Sequence, residues 1–152
     1  YVGFVFIGLI KVGENPKVIE YNVRMGDPET QVVLPRIQND LFELLQATAS
    51  GTLDSVKLLI DKRSVSTIVA VSGGYPESYD KGKAIRGIDP SDFVVHAGTA
   101  MVDEELVTSG GRVLSATGVG ADHNKAIAHS YQALAKIDFE GIYYRKDIGF
   151  DL

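Results

Sequence analysis

The sequence predicts an α+β fold in two parts, a β-hairpin with short helices and then a β-rich region carrying one amphipathic helix. Three observations carry this expectation. Residues 1–24 hold two runs rich in Val, Ile, Phe and Tyr around a Gly-Glu-Asn-Pro stretch. Residues 27–51 hold two helix-start signals and a closing glycine. From residue 66 onward, short apolar runs alternate with Gly- and Asp-containing turns until a helical stripe appears near residue 127.

Taken in order, residues 1–12 are strand-like, with Gly3 and Gly8 as interruptions, and KVIEYNVR (17–24) alternates. The turn composition at Gly13–Pro16 makes the pair a hairpin. Asp27-Pro28-Glu29 reads as a helix start: Asp as N-cap, Pro at the first helical position, Glu in the first turn. Pro35 ends or kinks that helix. Asp40 with Glu43 reads as a second start, and LFELLQATAS then runs helical to Gly51. Residues 52–64 read as a linker with an apolar patch from Val56 to Ile60.

The second part opens with a strand at 66–72, followed by the loop GGYPESYDKGKA. Residues 93–119 read as short strands turning at Asp103-Glu104 and at Ser109-Gly110-Gly111, the latter a hairpin turn. Asp122 caps a helix reaching about Lys136, with Ile127, Tyr131 and Leu134 spaced i, i+4, i+7 as its buried stripe. A last strand is expected near Gly141–Tyr144. The domain boundary falls near residues 58–64, which gives domains 1–60 and 61–152.

Composition narrows the function. The chain has 152 residues, 45% of them hydrophobic, and a net charge of −5. No Lys/Arg cluster points to nucleic acid or to an anionic membrane. The apolar opening YVGFVFIGLI is half the ~20 residues needed to span a bilayer. There is no cysteine, so disulfides, thiolate metal sites and cysteine nucleophiles are excluded. This fits a reducing compartment, and a cytoplasmic location is expected. Tyr1 stands inside a strand-like run, which reads as a fragment or processed piece of a longer protein.

The stretch EYNVRMGDPETQ (20–31) is the chemically loaded one. In a strand, Glu20, Asn22 and Arg24 share one face, with Ile19, Tyr21 and Val23 turned the other way into a core. Glu20 and Asn22 lie about 6.6 Å apart along such a strand and can converge on one hard cation. Arg24 can hold a phosphate or carboxylate in its fork. Gly26 frees the backbone to turn, and a helix starting at Pro28 aims N–H groups at an anion. The plainer reading stands beside this one: a solvated face of a half-buried sheet, followed by an ordinary helix start.

The string EYNVRMGDPETQVVLPR resembles the phosphoribosylamine–glycine ligases, ATP-grasp enzymes of purine biosynthesis. Their pattern Arg-Phe-Gly-Asp-Pro-Glu, with Gln or Glu two places on, reads here Arg24-Met25-Gly26-Asp27-Pro28-Glu29-Thr30-Gln31, with Met25 replacing Phe. SGGYPESYDKG (72–82), VVHAGT (94–99), LVTSGGRVLSATGVG (106–120) and FEGIYYRKDIG (139–149) resemble the family's C-terminal domain in order. The resemblance implies that 1–60 close an ATP-grasp domain and that 61–152 form an open-barrel-like C-terminal domain. It implies Mg²⁺ (or Mn²⁺) on Glu20 and Asn22. It makes Arg24 catalytic, and places Arg24, Gly26, Asp27 and Glu29 against substrate and phosphate. The implied partners are ATP, glycine, 5-phosphoribosylamine and the rest of the chain upstream. The nucleotide lysines, phosphate loop and adenine pocket have no counterpart here, so the piece alone is expected to be inactive. The competing classes are a non-catalytic phosphate-binding or partner-packing module and another ATP-grasp carboxylate–amine ligase.

Other candidates read as structural. His96 is a core or edge histidine of a strand. His123 and His129 sit on the solvated side of the helix, and Arg145 pairs with Asp147. The Gly73–Pro76 loop is open between a tight turn and a cleft lining.

Overall fold

A computed structural model describes residues 1–151. The chain divides into two compact units, Tyr1–Asp61 and Lys62–Leu152. The architecture is α+β, with small antiparallel sheets and few helices. No helix among the described residues is long and apolar enough to cross a membrane.

The first unit opens with the hairpin β1 (Phe6–Val12) and β2 (Asn15–Asn22). Its loop is only Gly13-Glu14, because Val12 pairs with Asn15 and Lys11 with Pro16. Gly13 has φ +60 and Glu14 stays at negative φ, the pattern of a two-residue turn that suits the strand twist. The register slips between Gly8 and Leu9, which leaves Ile19 as the extra residue of a bulge. The hairpin has no core face. Ile19, Tyr21 and Val23, expected inside, are 64%, 69% and 71% exposed, and Ile7, Leu9 and Val18 are exposed as well.

Two helices follow. α1 (Thr30–Val33) is one turn, continued by a 3₁₀ turn over Leu34–Arg36. It begins two residues later than the Asp-Pro-Glu signal predicts, because residues 27–29 form a turn, and the Asp27–Pro28 peptide is cis. Pro35 sits inside the 3₁₀ turn, and Ile37 is already extended. α2 (Leu41–Ser50) follows the sequence closely: Asp40 accepts from the Phe42 and Glu43 amides, and Gly51 ends it in the left-handed conformation at φ +68.

The predicted linker is tied down. Ile60 bridges to Ile37, and the Gln38 amide donates to Leu59 O at 2.9 Å. Asn39 clamps the same segment twice, accepting from the Leu59 amide at 2.6 Å and donating to Lys57 O at 3.0 Å. A run of apolar residues here is therefore a strand-like return rather than a free tether.

The second unit is built on β7 (Arg112–Gly120), the middle strand of a sheet ordered β3-β7-β4, with β3 at Ser64–Val71 and β4 at Phe93–His96. A separate hairpin joins β5 (Thr99–Val102) to β6 (Glu105–Thr108). Its turn residues Asp103 and Glu104 both have positive φ, 48° and 65°, as a two-residue turn of this hand demands. Ser109–Gly111 is not a hairpin turn, since β6 and β7 belong to different sheets. It is a crossing connection, pinned where the Ser109 amide reaches Gly98 O at 2.8 Å. The expected last strand reduces to one bridge, Val71 with Tyr143.

α3 (His123–Leu134) starts where Asp122 accepts from the Lys125 amide at 2.8 Å. Of the predicted Ile127-Tyr131-Leu134 stripe, Leu134 is buried and Ile127 and Tyr131 are half-buried, while Ala126, Ser130 and Ala133 join Leu134 as the deepest residues. The reason lies on β7. A Cβ on Gly118 would sit 2.5 Å from the Ser130 amide and 2.8 Å from Ser130 Oγ, and one on Gly120 would strike the backbone at Lys125–Ala126. Neither glycine has positive φ, so the requirement is space. The helix lies backbone to backbone on the strand, and only small side chains fit the seam. Ser130, fully buried, meets Ser66 Oγ at 2.7 Å and donates to backbone carbonyls. Ile68, Ala70, Leu114, Ala116, Leu134 and Phe139 are among the residues that complete the core.

Exposed clamps finish the surface. Lys136 at the end of α3 bonds Asp92 at 2.8 Å and Asp89 at 3.2 Å. The Ser91 hydroxyl and amide, then Lys136, hold the Asp89 carboxyl down at about 2. Arg145 and Asp147 form a two-bonded pair at 2.9 Å each.

The glycine seam makes a prediction. Gly118→Ala places a methyl group against backbone that cannot yield. It should cost about 1–3 kcal/mol, more than the fraction of a kcal/mol that the loss of unfolded-state freedom returns. Thermal unfolding followed by circular dichroism should show a lower Tm, and an unchanged Tm would refute the seam.

Candidate functional site

The chemically loaded stretch lies wholly within the first unit, from the end of β2 into the turn before α1. Glu20 pairs across the hairpin with Gly8, and Asn22 pairs with Phe6. Alternation along β2 therefore puts Glu20 and Asn22 on one face, together with Phe6 and Gly8. Gly8 matters there: a Cβ on it would stand 3.0 Å from Glu20 Cγ. The glycine leaves room for the acid's stem to lie across the ladder.

The donor set suits a hard cation. Glu20 is exposed and brings a carboxylate, while Asn22 is half-buried and brings an amide oxygen. The Asn22 Nδ2 atom is buried without a hydrogen-bond partner. A half-turn of the amide exchanges Nδ2 with Oδ1, so the polar end of Asn22 occupies a place that an internal donor or acceptor does not fill. An oxygen there, next to a carboxylate, fits Mg²⁺ or Mn²⁺. Among the described residues no three His, Cys, Asp or Glu gather into a full protein cage. The pair is thus suited to a cation that draws its other oxygens from substrate and water.

Arg24 is placed differently from the sequence expectation. β2 ends at Asn22, and Val23 and Arg24 form a bend, so Arg24 does not continue the strand face. Its guanidinium is exposed and donates from Nη1 to Met25 O at 3.1 Å. It forms no ion pair with Glu20. One of its five donors is committed to the backbone, and among the described residues the others form no hydrogen bond or ion pair.

The turn at Gly26–Glu29 also differs in how it works. Gly26 is buried and does not have positive φ. Its lack of a side chain serves close approach: a Cβ there would lie 2.5 Å from Glu29 Oε2 and 2.9 Å from Phe6 Cε2. Gly26 O accepts twice from Thr30, from the amide at 3.0 Å and from the hydroxyl at 2.5 Å. The amides of Thr30, Gln31, Val32 and Val33 all donate inward, to Gly26, Pro28 and Glu29 carbonyls. The anion-binding helix start expected at Pro28 is therefore absent, since the helix is a single turn and these N–H groups are already used. Asp27 and Glu29 are exposed.

The remaining candidates fall in the second unit and are structural in their contacts. His96 closes the edge strand β4, exposed, with Nδ1 3.2 Å from Thr99 Oγ1. His129 is exposed but not idle: its Nδ1 meets Val119 O at 2.7 Å. Gly73–Pro76 is a tight turn, with the Tyr75 amide donating to Ser72 O at 3.1 Å and Gly74 at φ +94. A cavity of about 460 Å³ adjoins Lys83, Arg86, Asp138 and Glu140. Its two cationic and two acidic side chains balance formally, with Lys83 bonding Glu140 at 2.8 Å.

Comparison with known proteins agrees along the whole length. The family profile described as "Phosphoribosylglycinamide synthetase, C domain" matches residues 65–151. The phosphoribosylamine–glycine ligase of Caldanaerobacter subterraneus subsp. tengcongensis is 45% identical over 150 residues, which is 97% of this chain and 36% of that one. The human trifunctional purine biosynthetic protein adenosine-3 is 41% identical over 155 residues, 99% of this chain and 15% of that one. The crystal structure of the Thermotoga maritima phosphoribosylamine–glycine ligase superposes with a TM-score of 0.83 at 32% identity, over 94% of this chain and 36% of that one. The K. lactis urea amidolyase shares the fold alone, with a TM-score of 0.59 at 18% identity over 86% of this chain and 8% of that one. The chain spans about a third of the length of the ligases it matches. On this evidence the chain belongs to the phosphoribosylglycinamide synthetase (phosphoribosylamine–glycine ligase) family, of which it carries the C-terminal part.

Proposed function

We propose that the chain is the C-terminal portion of an ATP-dependent ligase that joins glycine to 5-phosphoribosylamine, giving glycinamide ribonucleotide, ADP and phosphate. The observation that carries the reading is the match of 97–99% of the chain, at 41–46% identity, to proteins of that name and to the human trifunctional purine enzyme. On this reading residues 1–60 close an ATP-grasp domain and 61–152 are the open-barrel-like C-terminal domain. The reaction begins when glycine's carboxylate takes the terminal phosphoryl group of ATP. The sugar amine then attacks the acyl carbon, a C–N bond forms, and the C–O bond to phosphate breaks.

The residues divide this work by their chemistry. Glu20 and Asn22, on one strand face, would hold Mg²⁺ or Mn²⁺. Such an ion, when bound, offsets the charge on transferring phosphate. Arg24, exposed at the bend with most of its fork uncommitted, binds the phosphate or acyl-phosphate oxygens. The Gly26–Glu29 turn, fixed by the two Thr30 bonds to Gly26 O, forms the wall beside the substrates.

The direct test is ADP release with glycine, phosphoribosylamine and MgATP. The complete protein should turn over, and the isolated 152-residue chain should not. Turnover by the isolated chain would show that no further segment is needed, and an inactive complete protein would end the ligase reading.

Two substitutions in the complete protein test the roles. Glu20→Gln keeps the shape and weakens the cation ligand, so kcat should fall at least about tenfold with Tm unchanged. Near-normal kcat at saturating Mg²⁺ would leave Glu20 a surface acid. Arg24→Lys removes the fork and keeps the charge. Because a charge-assisted bond is worth about 1.5–3 kcal/mol, kcat/KM should fall roughly ten- to hundredfold at constant Tm. A lower Tm with intact kcat/KM would make Arg24 scaffolding.

A further inference from the structure

Gly8 stands inside a strand, where glycine is a poor choice. It has no side chain to pack there and the most freedom to lose on folding. Gly8 belongs to β1 and does not have positive φ, so its backbone does not call for glycine. What the position requires is space. A Cβ there would lie 3.0 Å from Glu20 Cγ, closer than Cβ atoms ordinarily approach. The next atoms, Glu20 N and O, stand at 3.7 Å, an ordinary contact distance. The one group that a methyl at position 8 would press on is therefore the stem of Glu20.

That stem needs a guide. Glu20 is exposed, and its carboxylate sits beyond several rotatable bonds. Among the described residues it has no hydrogen bond or ion pair to hold it. Asn22 is constrained by contrast: it is half-buried, with Nδ2 fully enclosed, and Phe6 stands opposite it. The ladder also changes step beside the acid. Gly8 pairs with Glu20 but Leu9 with Val18, so the unpaired Ile19 immediately precedes Glu20. A bulge re-aims the side chains next to it, and the empty place at Gly8 receives the one that results.

We propose that Gly8 is a positioning residue for cation binding: by leaving its place on the ladder empty, it sets the direction of the Glu20 side chain so that carboxylate and Asn22 amide reach one ion. The inference rests on the reading of Glu20 and Asn22 as the Mg²⁺ or Mn²⁺ pair. Gly8 touches neither ion nor substrate and acts through Glu20 alone. At Gly118 the group in the way is backbone, whereas here it is an exposed stem that can rotate. A methyl at position 8 is thus absorbed by moving the carboxylate and not by moving the fold, so ion affinity and chain stability separate at this position.

The test is Mn²⁺ binding to the complete protein with ADP present, read from the electron paramagnetic resonance of the free ion. It compares wild type, Gly8→Ala, Glu20→Ala and the double variant, with Tm measured for each. Gly8→Ala should raise the Mn²⁺ Kd roughly ten- to hundredfold, the usual effect of losing a group that orients a metal ligand. Its Tm should be unchanged or higher, since alanine suits a strand no worse than glycine. The Mg²⁺ concentration for half-maximal ADP release should rise in step. Glu20→Ala should raise Kd as well, and the double variant should bind no more weakly than Glu20→Ala alone, because no stem is left to position. Unchanged Mn²⁺ Kd in Gly8→Ala, with Glu20→Ala weakened, overturns the inference and leaves the cation pair standing. Additive losses in the double variant overturn it too, since Gly8 then acts through something other than Glu20. A lower Tm with unchanged Kd makes the glycine a packing residue only. Wild-type Mn²⁺ Kd in Glu20→Ala ends the cation reading and this inference with it.

Discussion

The second unit depends on one contact, the backbone of α3 laid against the backbone of β7. Gly118 and Gly120 have no side chains to hold the helix away, and Ala126 and Ser130 offer almost none. The close approach costs ordinary hydrophobic area, because small residues bury little of it. It returns tight contact along the seam, and voids in an interior forfeit dispersion that nothing else replaces. The buried Ser130 hydroxyl could have been a liability at that depth. It is satisfied by Ser66 and by the Ala126 carbonyl, so its burial carries no unmet hydrogen bond. β7 can then serve as the sheet's centre, with β3 and β4 on its two edges and the larger apolar residues of the sheet turned to the core.

The first unit rests on a different economy. A two-stranded hairpin is marginal by itself in water, and here both faces remain exposed. What is fixed is local: the two-residue turn at Gly13-Glu14, the bulge at Ile19, and the Gly26 pinch between Phe6 and Glu29. These contacts are short in range and do not need a core. They suffice to hold Glu20 and Asn22 on one face. The site's geometry is thus carried by backbone pairing and glycine packing, the least compressible materials the unit possesses.

Much of this was legible in the sequence where a side chain's meaning is local. Asp40 and Gly51 mark the limits of α2, and Asp122 marks the start of α3, because caps act on amides two or three residues away. The Glu20/Asn22 pairing follows from strand alternation alone. The failures share a cause. The Asp27-Pro28-Glu29 signal is chemically a helix start, but the same residues form a turn ahead of α1. The Ile127-Tyr131-Leu134 stripe does face inward, with Leu134 in the core and Tyr131 packed against it, yet it misses Ala126 and Ser130, which Gly118 and Gly120 on another element bring deepest. Ile19, Tyr21 and Val23 look like core residues, and nothing within the first unit covers them. Each miss concerns a partner distant in the chain, which periodicity does not see.

On the proposed reading, the charges of the site explain how an acidic chain would handle phosphate without a basic patch. Glu20, Asp27 and Glu29 face one guanidinium, Arg24, so the stretch 20–29 carries a formal charge of −2. Alone, it would repel a polyphosphate rather than attract it. A divalent cation on Glu20 and Asn22 would bring that balance to zero, and Arg24 would then act as a directed donor and not merely as a counter-charge. Binding of cation and phosphate at such a site is coupled by electrostatics: each removes the repulsion that opposes the other. A basic patch would bind phosphate in any company. On that reading the acidic composition would make anion binding conditional on the metal.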